Sequence, residues 1–114
     1  MTENCLFCRI ARGEIKAATV AESENAIAFR DIDPKAPVHV LVIPKKEIVS
    51  LDDVTSEDAP LVGHLFVVLR QIAADLGLDN GYRVVINCGE DGGQEVPHLH
   101  LHLLGKRRLT WPPG

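Results

Sequence analysis

Residues 98–104 read His-Leu-His-Leu-His-Leu-Leu. Strand side chains alternate between two faces. As a strand, this run therefore sends Leu99, Leu101 and Leu103 to one face and His98, His100 and His102 to the other. The leucines require a hydrophobic core. The histidines form a row of imidazoles with neighbours about 6–7 Å apart.

The rest of the chain supplies such a core. Its 114 residues are one domain's worth, taken as a single domain over residues 1–114. Hydrophobic residues make up 46% and charged residues 25%, which excludes disorder and collagen. No apolar run reaches the roughly 20 residues of a membrane span. The net charge of −4 argues against bulk binding to nucleic acid, though a small anionic ligand senses only its local site. The first residues lack the basic and apolar regions of a secretory leader. Three cysteines, Cys5, Cys8 and Cys88, then read as reduced thiols of a cytoplasmic protein. The Cys5-x-x-Cys8 spacing suits a metal, but a complete site needs two more ligands.

Local patterns predict a short helix over 6–12, closed by Gly13, and strands over 18–22 and 26–31 around the turn Ser23-Glu24-Asn25. A loop with two prolines precedes a strand over 38–43, which Pro44 ends. Thr55, Ser56, Glu57 and Asp58 mark a helix start. That helix runs to about Leu76, where Gly77 stops it, with Leu61, Leu65, Leu69, Ile72 and Leu76 on one face. Strands over 82–87 and 96–104 flank a glycine-rich loop at 89–93. The expected class is α+β, a mainly antiparallel sheet packed with one long helix and a short N-terminal helix.

Three readings of the histidine face compete. A solvated face explains little, because three of the chain's five histidines stand at alternate positions. A metal could be chelated by two of them, but the outer pair is about 13 Å apart at the backbone, too far to share one ion. A nucleophilic imidazole, with a pKa near 6.5, suits attack on phosphorus at neutral pH. Flanking histidines would orient it and donate to phosphoryl oxygens, and the glycine-rich loop would offer backbone N–H groups. His39 shares a strand face with Leu41 and Ile43. It reads as a core histidine or as one whose hydrogen bond orients a neighbour. His64, inside the helix, reads as structural.

The stretch from Asn87 through Gly93-Gln94-Glu95-Val96-Pro97 to His98-Leu99-His100-Leu101-His102-Leu103-Leu104 resembles the histidine-triad signature, His-x-His-x-His-x-x. More narrowly the chain resembles the Hint branch of histidine-triad nucleotide-binding proteins. Ala28-Phe29-Arg30-Asp31-Ile32, Ala36-Pro37-Val38-His39 with the strand after it, and the tail Trp111-Pro112-Pro113-Gly114 carry that likeness too. The resemblance implies a histidine-triad fold and a purine nucleoside phosphoramidase that needs no metal for catalysis. It implies that His100 is the nucleophile, that His102 bonds the phosphate and the bridging atom, and that His98 and His39 support the site. Asp31 would accept the ribose hydroxyls. Phe7, Ile10, Phe29 and Ile32 would line the base pocket. Asn87, Gly93 and the backbone at Glu95 would hold phosphate.

Two departures stand out. Some relatives carry a hydroxyl residue where Glu95 stands, and an ionised carboxylate cannot donate a hydrogen bond. Zinc-binding members of the superfamily pair the Cys-x-x-Cys with two histidines, and Glu47 occupies one of those places. The implied structural zinc site is therefore Cys5, Cys8, Glu47 and His98. The resemblance also implies a homodimer in which Trp111 reaches the partner's site, against a Trp111 packed on its own domain. A dinucleotide polyphosphate hydrolase of the Fhit kind and a nucleotide- or zinc-binding interaction protein are the alternatives.

Overall fold

The computed structural model describes residues 5–114. Helix α1 (Leu6–Ala11) precedes strands β1 (Thr19–Glu22), β2 (Ala26–Arg30) and β3 (Val38–Pro44). Helix α2 (Ala59–Asp75) follows, then β4 (Tyr82–Val85) and β5 (Leu101–Gly105). The five strands form one antiparallel sheet in the order β1-β2-β3-β5-β4. The α+β class inferred from the sequence is the observed one.

Strand alternation divides the core between the two faces. Val38, Val40 and Val42 of β3 join Leu101 and Leu103 of β5 beneath α2, which contributes Leu65, Leu69, Ile72 and Ala73. Leu41 and Ile43 face the other way and join Ile27 and Phe29 beneath α1, which contributes Phe7, Cys8 and Ile10. His39 and His102 stand on this second face, on neighbouring strands. The chemistry therefore lies on the side of the sheet covered only by the short helix.

The helix ends follow local rules. The Asp58 carboxylate accepts from the Thr55 N–H at 3.0 Å, and a 3₁₀ turn at Ser56–Asp58 replaces the expected first α turn. At the other end Gly77 has φ +71°. Its N–H reaches the Ala74 carbonyl, and that of Leu78 reaches Ala73, the paired bonds of a Schellman stop.

Several boundaries differ from expectation, and three of them bear on the site. Strand β3 includes Pro44, paired with Ala26 at the strand's end, because a terminal position needs no donor there. Strand β4 stops at Val85 rather than 87, and Asn87 turns away to donate to the Gly92 carbonyl at 2.7 Å. Strand β5 begins at Leu101, not 96. Pro97 has no N–H to give a ladder. The His98 N–H bonds the Val96 carbonyl and the Leu99 N–H bonds Ile48. Residues 96–100 are thus bent, and the leucines stay inside while the histidine row breaks at its first member.

Candidate active site

His98 leaves the row and is fully buried. Its Nε2 lies 2.8 Å from the Pro44 carbonyl and its Nδ1 3.2 Å from Cys8 Sγ. A carbonyl only accepts, so Nε2 carries the proton and Nδ1 presents its lone pair to the sulfur. The His98 backbone carbonyl in turn accepts from His100 Nδ1 at 2.7 Å. That bond settles the tautomer of His100 in its neutral form: Nδ1 is protonated and Nε2 is bare.

The same reasoning runs through His39. Its Nδ1 accepts from the Lys35 backbone N–H at 3.0 Å, so Nε2 holds the proton and donates to His102 Nδ1 at 2.9 Å. His102 is left with its proton on Nε2. The site therefore pairs a bare nitrogen on His100 with an N–H donor on His102, ring centroids 4.9 Å apart. Asp31 Oδ2 lies 3.5 Å from His39 Nε2 and steadies that proton. The Lys35 N–H was invisible to sequence reasoning, because a backbone donor leaves no mark on residue type.

Burial keeps the imidazoles neutral. It lowers the pKa of His100 below the ordinary 6.5, with the backbone bond to His98 opposing it. His39 and His98 are lowered by burial as well. His102 falls to about 4, through burial first and then repulsion from His100 and His39. At neutral pH all four hold one proton each, which is the state a nucleophile and a hydrogen-bond donor require.

His100 and His102 line a cleft of about 520 Å³. One end is apolar. Phe7 meets His100 edge-on at 4.9 Å and Phe29 at 5.4 Å, with Ile10 and Leu41 beside them. Ile32, though 92% exposed, borders the mouth next to Asp31. Asn87, Gly93 and Glu95 add polar groups to the same lining. Sequence reasoning missed Ile15, Lys16 and Arg30 on the wall. Ile15 and Lys16 lie outside any regular element and have no periodicity to betray them. A larger concavity of about 790 Å³ near Lys106, Arg107 and Arg108 holds no histidine.

The loop between β4 and the histidines is held by its own side chains. Gln94 Oε1 accepts from the Gly89 N–H at 3.0 Å, while its Nε2 donates to Val49 at 2.7 Å. Gly93 has φ +78°, a left-handed conformation that glycine adopts without strain. A Cβ on Gly92 would strike the Cys88 backbone. These positions require glycine for shape, so the glycine-rich composition is not loose linker.

The residues of the expected metal set are brought together only in part. Cys5 and Cys8 are joined as a disulfide rather than held as thiols, the closeness of their sulfurs following from the single turn of α1 that separates them. Glu47 is drawn off by Arg12, whose Nη1 lies 2.9 Å from Glu47 Oε2. The donor atoms of Cys5, Cys8 and His98 do lie within 4.8 Å of one another. They fit a metal only when the disulfide is reduced, since the thiolate is the ligand, and as three donors rather than four. Trp111 lies outside the cleft of its own chain and is 80% exposed, which overturns packing on its own domain. The Thr110 carbonyl beside it accepts from Arg83 Nη2 at 2.7 Å. Among the described residues no helix is long and apolar enough to cross a membrane.

Known proteins share this fold and much of this sequence. A HIT-like protein of Synechococcus elongatus with no assigned function is 54% identical over 114 residues, all of both chains. The crystal structure of a HIT family hydrolase from Legionella pneumophila superposes with a TM-score of 0.95 at 53% identity, covering 97% of this chain and all of that one. A histidine triad nucleotide-binding protein from Candida albicans superposes with a TM-score of 0.83 at 31% identity, covering 96% of this chain and 83% of that one. The HIT domain model matches residues 12–109, and with these relatives it establishes that the chain belongs to the HIT domain family.

Proposed function

We propose that the chain hydrolyses purine nucleoside 5′-phosphoramidates, or closely related nucleoside monophosphate derivatives. The observation that carries this reading is the pair of hydrogen bonds, His100 Nδ1 to the His98 carbonyl and His39 Nε2 to His102 Nδ1, which leave a bare His100 Nε2 beside a His102 Nε2–H in one cleft of mixed polarity. The base lies against Phe7, Phe29 and Ile10, and the ribose hydroxyls meet Asp31. His100 Nε2 forms a bond to phosphorus while the P–N bond breaks. His102 Nε2–H bonds the phosphoryl oxygen and passes its proton to the departing nitrogen, so the amine leaves neutral. Water then attacks phosphorus, returns a proton to His102 Nε2, and the P–His100 bond breaks; the free amine takes its further proton from solvent. The sum is nucleoside monophosphate plus a protonated amine, and covalent catalysis divides one hard step into two. No metal takes part.

The test is incubation with adenosine and guanosine phosphoramidates alongside diadenosine polyphosphates, with products quantified. Phosphoramidates should turn over with the highest kcat/KM. Preferred cleavage of the polyphosphates would install the Fhit-like alternative, and turnover of neither would leave a binding protein.

A zinc ion, in this proposal, is structural. Reduced Cys5 and Cys8 would hold it with His98 Nδ1, and it would tie α1 to the bend before β5. Zinc added to reduced protein should raise Tm, and a chelator should reverse the gain. The turnover rate of the folded fraction should stay within about twofold. Rapid loss of activity without unfolding, restored by zinc, would make the metal catalytic instead.

The working unit, we further propose, is a homodimer. Strand β4 is an unpaired sheet edge, which proteins usually cover, and Phe66, Val67, Tyr82 and Trp111 are exposed. Sedimentation should give a dimer at micromolar concentration. Removing residues 110–114 should leave the dimer intact and change the ranking of amine leaving groups, measured as kcat/KM ratios. A monomer, or an unchanged ranking, would contradict this.

A further inference from the structure

The cleft's charges are unevenly compensated. Lys35 Nζ sits 2.7 Å from Asp33 Oδ2 and 3.1 Å from the Asp33 carbonyl, so those two charges neutralise one another. Asp31 faces His39 and His102. Lys16 and Arg30 also line the cleft and form no ion pair among the described residues. Glu95 lines it too, as do Asn87 and Gly93. Its side chain is exposed, and among the described residues it forms no ion pair. Lys35 is near enough to feel its charge but is already engaged.

Position gives that charge a role. With phosphorus at His100, an in-line displacement sends the leaving group to the side opposite His100 Nε2, still within the cleft that Asn87, Gly93 and Glu95 help to line. A unit charge there interacts with the leaving group through partly screened water, where about 6 Å of separation still changes an equilibrium by several-fold to tenfold.

We propose that Glu95 selects the leaving group by charge, favouring amines that carry a second, cationic group such as an ammonium or guanidinium and disfavouring anionic ones. This rests on the phosphoramidate reading and deepens it. The carboxylate attracts a distal cation on the amine. It also repels the nucleoside polyphosphate that would depart from a dinucleotide substrate, whose charge would lie beside it. The residue touches the departing portion of the substrate and takes no part in proton transfer.

Three adenosine 5′-phosphoramidates of matched length test this: one made with 1,4-diaminobutane, one with pentylamine and one with 4-aminobutanoate. Wild-type kcat/KM should fall in that order. The ratio of the cationic to the anionic substrate should drop about tenfold in Glu95→Gln and invert in Glu95→Lys. In wild type it should shrink as salt rises, because exposed charges are screened. The salt series needs no variant, so it holds even if a substitution perturbs folding. A ratio unchanged by both Glu95→Gln and salt would overturn the inference while leaving the phosphoramidate reading intact. Turnover of none of the three would overturn both.

Discussion

Replacing His100 with alanine should abolish turnover by more than about 10⁴-fold while nucleoside monophosphate binding persists. Deleting a general acid or base costs roughly 10²–10⁴, but a covalent nucleophile has no substitute. His102 is the nearest imidazole, yet its proton is on Nε2, because Nδ1 accepts from His39. It therefore presents a donor to phosphorus where a lone pair is required. Binding should survive, since Phe7, Phe29, Ile10 and Asp31 are untouched. Mass spectrometry of quenched wild-type enzyme should detect a nucleotidyl adduct that His100→Ala lacks, and calorimetry should report a Kd within a few-fold of wild type. More than a tenth of wild-type kcat in the variant would reassign the nucleophile.

Acid should weaken the protein as well as silence it. His102 titrates near 4 in the fold, against about 6.5 when unfolded. The unfolded chain then takes up a proton at a pH where the folded chain refuses it. The stability His102 contributes is present above pH 6.5 and is lost progressively as pH falls toward 4. At the limit this amounts to about 3 kcal/mol for this one residue, and His39, His98 and His100 shift in the same direction. Urea midpoints measured from pH 7.5 to 4.5 should decline steadily, and the decline should be shallower in His102→Asn. In the same window kcat/KM should hold level just below pH 6.5 and fall only as His100 gains a proton on Nε2. A profile already half-lost at pH 6.5 would mean that the site is wetter than its burial indicates.

Much of this was legible in the residues. The leucine–histidine alternation placed the core and the site on opposite faces, and Leu101, Leu103 and His102 obey it. The position of His39 beside Leu41 and Ile43 leaves open whether it is a core histidine or one that orients a neighbour, and in the structure it is both buried and bonded to His102. What the pattern missed came from backbone groups. Pro97 interrupts the ladder and turns His98 inward, toward Cys8 and the Pro44 carbonyl. The Lys35 N–H and the His98 carbonyl set the tautomers, and such groups are common to every residue. The pairing of Glu47 is illegible for a different reason. Arg12, far away in sequence, competes for it, and a spacing rule contains no information about a distant competitor.

The late start of β5 also governs which length changes the gene can tolerate. From Leu101 onward each residue is locked opposite a partner on β3. Deleting or inserting one residue inside Leu101–Gly105 would carry His102 to the leucine side and a leucine into the cleft. Upstream, residues 88–97 join no ladder, so a duplication or trimming of that segment leaves the facing of the strand intact. A length change before Pro97 would therefore disturb the loop bonds of Asn87 and Gln94 but not the facing of His102, whereas one after His100 would destroy the site, and length variation should be absent there.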